Sequence, residues 1–209
     1  MLEYFYQGGP IMYPLLFCSI LSVAIIIERS IFWIKERKRQ DRNRRDSLMN
    51  CIEKNDLEGA RKAAGDTCDF VIRVLVCGMV HREFSLRDAL HMAADEEISR
   101  MGRYLSVLDT LITLAPLLGI LGTVTGIIFS FNVLGVVGVE DPKTVTAGIA
   151  QALITTAFGL AVAILSLIPY NYFISRMEKA AGDIEKYATT LEILVEKNKK
   201  TVRSRFDEN

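Results

Sequence analysis

The run Leu114-Ala115-Pro116-Leu117-Leu118-Gly119-Ile120-Leu121-Gly122-Thr123-Val124-Thr125-Gly126 decides how this chain folds. Around it, from Thr110 to Val139, there is no charged residue. A helix needs roughly 20 apolar residues to cross a hydrocarbon core about 30 Å thick, and this block is longer. Two other blocks share the property, Tyr4 to Ile27 and Thr144 to Ser175. The chain of 209 residues is 50% hydrophobic with a formal net charge of zero, values a soluble domain can share. Its charges, however, are crowded between the three blocks. That distribution predicts an all-α membrane protein with three transmembrane helices, at about 10–33, 108–135 and 143–173.

The basic residues set the expected orientation. Of the 25 Lys and Arg, 16 lie between Arg29 and Arg103, one is Lys143, and eight lie between Arg176 and Arg205. Lys and Arg gather on the cytoplasmic side of spanning helices. Residues 35–107 and 176–209 are therefore expected in the cytoplasm of a bacterial cell, below its inner membrane. The N-terminus and the turn at Glu140, Asp141 and Pro142 then face the periplasm. Tyr4, Phe5 and Tyr6 at one interface, and Trp33, Tyr170 and Tyr172 at the other, suit aromatic belts or simple packing. The first block is not read as a cleaved signal, because its basic residues follow the apolar run instead of preceding it.

The segment 35–107 reads as helical. Asn55 or Asp56 caps a helix over 57–64 that Gly65 ends, and a further helix covers 70–82. Ser85-Leu86-Arg87-Asp88 resembles a capping box with Asp in the usual Glu position. No break is visible from Ser85 to about Gly135, which predicts one helix of about 50 residues, roughly 75 Å long. The third block continues past Ser175 as an amphipathic extension that frays after Glu196. Long helices need neighbours, so an oligomer is expected. One membrane-embedded domain, residues 1–209, describes the chain. Four cysteines, among them Cys68, form no C-x-x-C pair, and His81 and His91 lack further ligands, so neither a metal nor another cofactor is expected.

Gly119, Gly122 and Gly126 fall at i, i+3 and i+7, on one helix face. Gly122 and Gly126 form a small-xxx-small pair that lets helices approach closely. On the third span lie Gly148, Gln151, Thr155, Thr156 and Gly159. A single membrane threonine commonly bonds back to its own helix. Hydroxyls gathered beside glycine faces on two successive helices can instead line a narrow hydrated path. No carboxylate, His, Lys or Arg lies in either block. Proton pathways usually require an ionisable group in the membrane. If this chain handles protons, the titrating group must come from another chain.

The runs Ala115-Pro116-Leu117-Leu118-Gly119-Ile120-Leu121-Gly122-Thr123-Val124-Thr125-Gly126 and Gly148-Ile149-Ala150-Gln151-Ala152-Leu153-Ile154-Thr155-Thr156-Ala157-Phe158-Gly159-Leu160 resemble the MotA/TolQ/ExbB proton-channel family, most closely its ExbB/TolQ branch. The order of segments is similar too. The resemblance implies a homopentamer around a central pore holding single helices of an ExbD- or TolR-like partner with a membrane Asp. It implies output to a TonB- or TolA-like periplasmic protein. It places Thr123 and Thr156 on the pore lining, a choice between Thr155 and Thr156 that helical phase alone does not make. Gln151 stands where these relatives commonly carry Glu, and an amide cannot bind and release a proton near neutral pH.

The function expected is a subunit of an inner-membrane motor driven by the proton motive force. Proton-pathway candidates are Thr123, Thr155, Thr156 and Gln151, with Gly119, Gly122, Gly126, Gly148 and Gly159 packing helices. The alternatives are a non-conducting membrane scaffold and a stator of a flagellar, gliding or secretion motor. No nucleophile–base pair suggests an enzyme. The basic run at 35–45 is explained by topology and lipid headgroups rather than nucleic acid.

Overall fold

The computed structural model describes residues 8–54, 56–65, 69–137 and 142–207. Tyr4, Phe5, Tyr6, Asn55, Cys68, Glu140 and Asp141 lie outside the described residues. Seven helices occur among the described residues: α1 (Met12–Arg39), α2 (Arg42–Glu53), α3 (Leu57–Ala64), α4 (Phe70–Val80), α5 (Arg82–Gly102), α6 (Leu105–Val137) and α7 (Pro142–Asp207). The chain divides into two compact units, residues 1–30 with 104–174, and residues 31–103 with 175–209.

The first unit consists of apolar helix segments that each bury one stripe. In α1 the stripe is Met12, Leu15, Cys18, Ser22 and Ile25; in α6 it is Leu105, Leu108, Leu111, Ala115, Gly119, Gly122 and Gly126. The spacing of three and four is that of a helix presenting one face to its neighbours. Cys18 and Ile25 pack on Leu108 and Leu111, and Met12 and Leu15 pack on Ala115. The other faces are apolar and uncovered: Phe17 is 67% exposed, Phe131 68% and Leu165 70%. A helix that is apolar on every side suits a lipid environment, where its backbone bonds are satisfied internally. Three helices are long and apolar enough to cross a membrane, and the protein is a multi-pass membrane protein.

The second unit has a different chemistry, with caps and buried ion pairs. Asp41 opens α2 by accepting from the Arg44 amide at 3.2 Å, and Asp56 opens α3 by accepting from the Gly59 amide at 2.9 Å. Asp69 opens α4, accepting from the Val71 and Ile72 amides at 2.9 and 3.4 Å. Such caps satisfy donors that the first helical turn leaves unpaired. The expected helix over 70–82 ends two residues earlier, at Val80, with His81 as its cap. Ser85 has extended backbone and its hydroxyl accepts from the Asp88 amide at 3.3 Å, so the regular part of α5 starts at the capping sequence.

The expected unbroken helix from Ser85 to Gly135 is interrupted. Arg103 leaves the helical region with ψ 132°, and Tyr104 takes φ +66° before α6 begins. A left-handed residue with a β-carbon costs about 1–2 kcal/mol. Here the Leu108 amide donates to the Tyr104 carbonyl at 3.1 Å, and the Arg29 guanidinium lies 5.8 Å from the Tyr104 ring centre. The division between the two units falls at this same point.

Glu36, three residues beyond the expected first span, is 1% exposed and belongs to the second unit. Arg73 and Arg100 stand 3.7 and 3.6 Å from its carboxylate, and both arginines bond Glu97 more closely, at 2.7 and 2.9 Å. Burial raises the Glu36 pKa above the ordinary glutamate value, with Arg100 and Arg73 opposing the shift. The folded state then binds this proton more tightly than the unfolded chain does. Wild-type stability relative to Glu36→Gln should therefore rise as pH falls through the raised Glu36 value, and stop changing below the ordinary one. Thermal unfolding of both proteins in detergent at stepped pH checks this; a pH-independent difference contradicts it.

Candidate functional site

The site candidates lie where α6 meets α7 in the first unit. Their sequences put small residues on facing stripes, and the two backbones come close enough to exclude β-carbons. One added at Gly159 would stand 2.5 Å from the Ala115 carbonyl oxygen and 3.2 Å from Gly119 Cα. One added at Gly119 would stand 3.0 Å from Thr156 Cα. At Gly126 it would meet Ala152 Cβ and the Gly148 carbonyl, each at 3.0 Å. The space beside Gly122 is taken by the Thr155 side chain, and that beside Gly148 by the Ser130 hydroxyl. The seam thus runs from Ala115 and Gly159 to Ser130 and Gly148. Ala115 and Ser130 belong to it without having been singled out from sequence. Their smallness was visible, but which helix they would touch was not.

Close packing of this kind is how membrane helices associate where the hydrophobic effect gives no preference for one another over lipid. A test follows from the contrast with Gly135, on α6 with nothing within 4 Å of its β-carbon position. Gly159→Ala should lower the thermal stability of the detergent-solubilised protein by about 1–3 kcal/mol, the usual range for overpacking. Gly135→Ala should leave it near the wild-type value. Equal effects would mean that the seam does not constrain the helices.

Hydroxyl groups flank this seam in two states. Thr156 donates across it to the Gly119 carbonyl at 2.9 Å. In helical register that same carbonyl faces the backbone amide of residue 123, whose side-chain hydroxyl goes elsewhere. The Thr123 hydroxyl donates to the Ile120 carbonyl at 2.6 Å, and that of Thr125 to the Leu121 carbonyl at 2.9 Å. Each hydroxyl keeps acceptor lone pairs after donating. Thr123 and Thr156 are half-buried in the chain.

Thr155 and Gln151 have other surroundings within the chain. Thr155 is 1% exposed, donates to the Ala152 carbonyl at 2.8 Å, and fills the notch left by Gly122. It belongs to the seam within this chain. The Gln151 amide occupies the space that a β-carbon on Gly9 would need, beside the turn that precedes α1. Gly9 has φ +70°, which a residue without a side chain adopts readily.

A bundle of three apolar helices, two of them locked by small residues with hydroxyls at the edge of the lock, defines a helical multi-pass membrane protein. Comparison with known proteins agrees. The model of the MotA/TolQ/ExbB proton channel family matches residues 72–186. ExbB-like 1 of Synechocystis sp. is 37% identical over 201 residues, covering 93% of this chain and 78% of its own. ExbB-like 3 of the same organism is 34% identical, covering 90% of this chain and 91% of its own. The Tol-Pal system protein TolQ of Pseudomonas aeruginosa is 36% identical over 107 residues, covering 51% of this chain and 46% of its own. The chain belongs to the MotA/TolQ/ExbB proton channel family, on its ExbB/TolQ side.

Proposed function

We propose that this chain is a subunit of an inner-membrane motor powered by the proton motive force. Five copies surround a pore, with segments 35–107 and 176–209 in the cytoplasm and the N-terminus in the periplasm. Single helices of an ExbD- or TolR-like partner stand inside the pore. Protons pass between the partner's membrane Asp and a wall that includes Thr123 and Thr156. Each transfer changes the charge of the partner helix and thus its preferred position against the wall. A TonB- or TolA-like protein carries the resulting motion toward outer-membrane transport or envelope maintenance.

The observation that carries this reading is the Thr156 hydroxyl on the Gly119 carbonyl, with the Thr123 hydroxyl on the neighbouring Ile120 carbonyl, inside the charge-free blocks 110–139 and 144–175. Hydroxyls can hand a proton along only if something else titrates, because their own pKa values lie far from neutral. Gln151, at the level of the Gly9 turn, would offer a hydrogen-bonding amide to water and no proton-binding group.

One observation favours a second reading, a non-conducting scaffold: Thr123, Thr125 and Thr155 all donate to carbonyls of their own helices. Proton flux separates the two. The chain is purified with the single-span protein encoded beside it, its copies are counted, and the complex is placed in liposomes under a pH gradient. The motor reading expects flux that needs both proteins and is lost when the partner's membrane Asp becomes Asn. Flux absent from the intact complex, or unaffected by that change, favours the scaffold.

A further inference from the structure

We propose that a basic groove at the edge of the first span, between the end of α1 and the part of α7 that follows Ser175, binds the phosphate headgroup of an anionic phospholipid. All of its walls belong to the second unit. Two adjoining cavities of about 440 and 400 Å³ share Arg37, Gln40 and Asp183. Trp33, Arg176 and Lys179 complete the first, and Arg42, Arg45 and Lys186 are among those that complete the second. Cavities of this size hold small ligands.

The charge in the groove is unbalanced. Asp183 is its single carboxylate, and Arg45 already engages that group at 3.2 Å. Arg37, Lys179 and Lys186 make no ion pair among the described residues. Two donors on the walls are buried without an acceptor, the Trp33 indole N–H and the Arg45 Nη2. A phosphate brings several strong acceptors to such a place, and guanidinium groups match its geometry.

Chain continuity favours a lipid as the source of that phosphate. Arg176 directly follows the charge-free block that ends at Ser175, and Arg37 lies one turn past Trp33 on the helix that carries the first block. Residues one or two turns beyond an apolar span fall at headgroup depth, where Trp is also favoured. An anionic phospholipid would thus reach the groove with its chains still in the hydrocarbon. The inference stands apart from the proton reading, since a scaffold could hold the same lipid.

Trp33 is the one tryptophan of the chain, so its fluorescence reports on the groove directly. The full-length protein in zwitterionic micelles is titrated with dioleoylphosphatidylglycerol, with dioleoylphosphatidylcholine and inorganic phosphate in parallel. A saturable emission change with phosphatidylglycerol alone is expected. Arg37→Gln with Arg176→Gln and Lys179→Gln should weaken it at least tenfold. Lys35→Gln with Lys38→Gln and Lys62→Gln, which removes equal charge away from the groove, should not. If the triple groove variant loses its wild-type elution volume, Lys179→Gln alone should weaken binding at least threefold. Equal saturation by phosphatidylcholine would overturn the proposal, as would an equal response to free phosphate. A groove variant that binds like the wild type would do the same.

Discussion

Replacing Thr123 and Thr156 together by alanine is expected to reduce proton-driven work to background while the oligomer still forms. The structural part of the double change is small. Thr156 loses one hydrogen bond across the seam, to the Gly119 carbonyl. Such bonds between membrane helices average about 0.6 kcal/mol. The close contacts at Gly119, Gly126 and Gly159 involve backbone or Ala152 and remain in place. What disappears is the pair of hydroxyl oxygens, and with them the polar surface that the proposed path requires. Thr156→Ser keeps the oxygen and removes only a methyl group, so it should retain most of the activity. The measurements are proton flux in liposomes and copy number by native mass. Full flux in the double alanine variant would remove both residues from the pathway; loss of the oligomer would assign them to packing.

The second large effect belongs to the second unit. Asp69→Ala is expected to destabilise it by about 3–5 kcal/mol, the range for leaving one member of a buried ion pair alone. Asp69 is fully buried and Arg45 is 4% exposed. The Arg45 Nε lies 2.9 and 3.1 Å from the two carboxylate oxygens, and its guanidinium lies 5.0 Å from the Phe70 ring centre. The same carboxylate accepts the Asp41 amide at 3.0 Å and caps α4, so one side chain ties together the starts of two helices. Asp69→Asn retains capping oxygen but strands the Arg45 charge with Asp183 alone, which is 53% exposed at its side chain. Adding Arg45→Met to Asp69→Asn should recover most of the loss, because no buried charge is then left. Urea unfolding or protease cleavage within 41–103 reads these differences. An Asp69→Ala protein within about 1 kcal/mol of wild type would mean that water reaches Arg45 and replaces the lost partner.

Charge distribution and length made the three apolar helices legible in the sequence, because the need to bury backbone polarity in lipid leaves few options to a run of uncharged residues. The caps at Asp56 and Ser85 were legible for a related reason: their oxygens satisfy amides two or three residues away, so the whole interaction is local. The break at Arg103–Tyr104 was not. No proline marks it, and Gly102 is a weak signal inside an otherwise helical pattern. The left-handed Tyr104 is held by Arg29, far away in the chain. Glu36 and Asp69 were also silent, each looking like one more surface charge until its arginines came from other segments.

The seam shows where sequence alone stops. Glycine spacing gave a face on α6 and a second set of small residues on α7, since i, i+3 and i+7 positions always share a side of a helix. How the two adjacent threonines met the partner helix depended on the rotation of α7 about its own axis, and no local rule fixes that angle. Backbone contact fixed it, with Thr155 in the Gly122 notch, Thr156 on the Gly119 carbonyl and Gln151 against Gly9. Sequence by itself therefore determined that this protein crosses a membrane, with hydroxyls but no charged residue in the blocks 110–139 and 144–175. Only the tertiary structure decided which hydroxyls are consumed by packing and which remain at its edge, because that choice depends on distances between residues more than thirty positions apart.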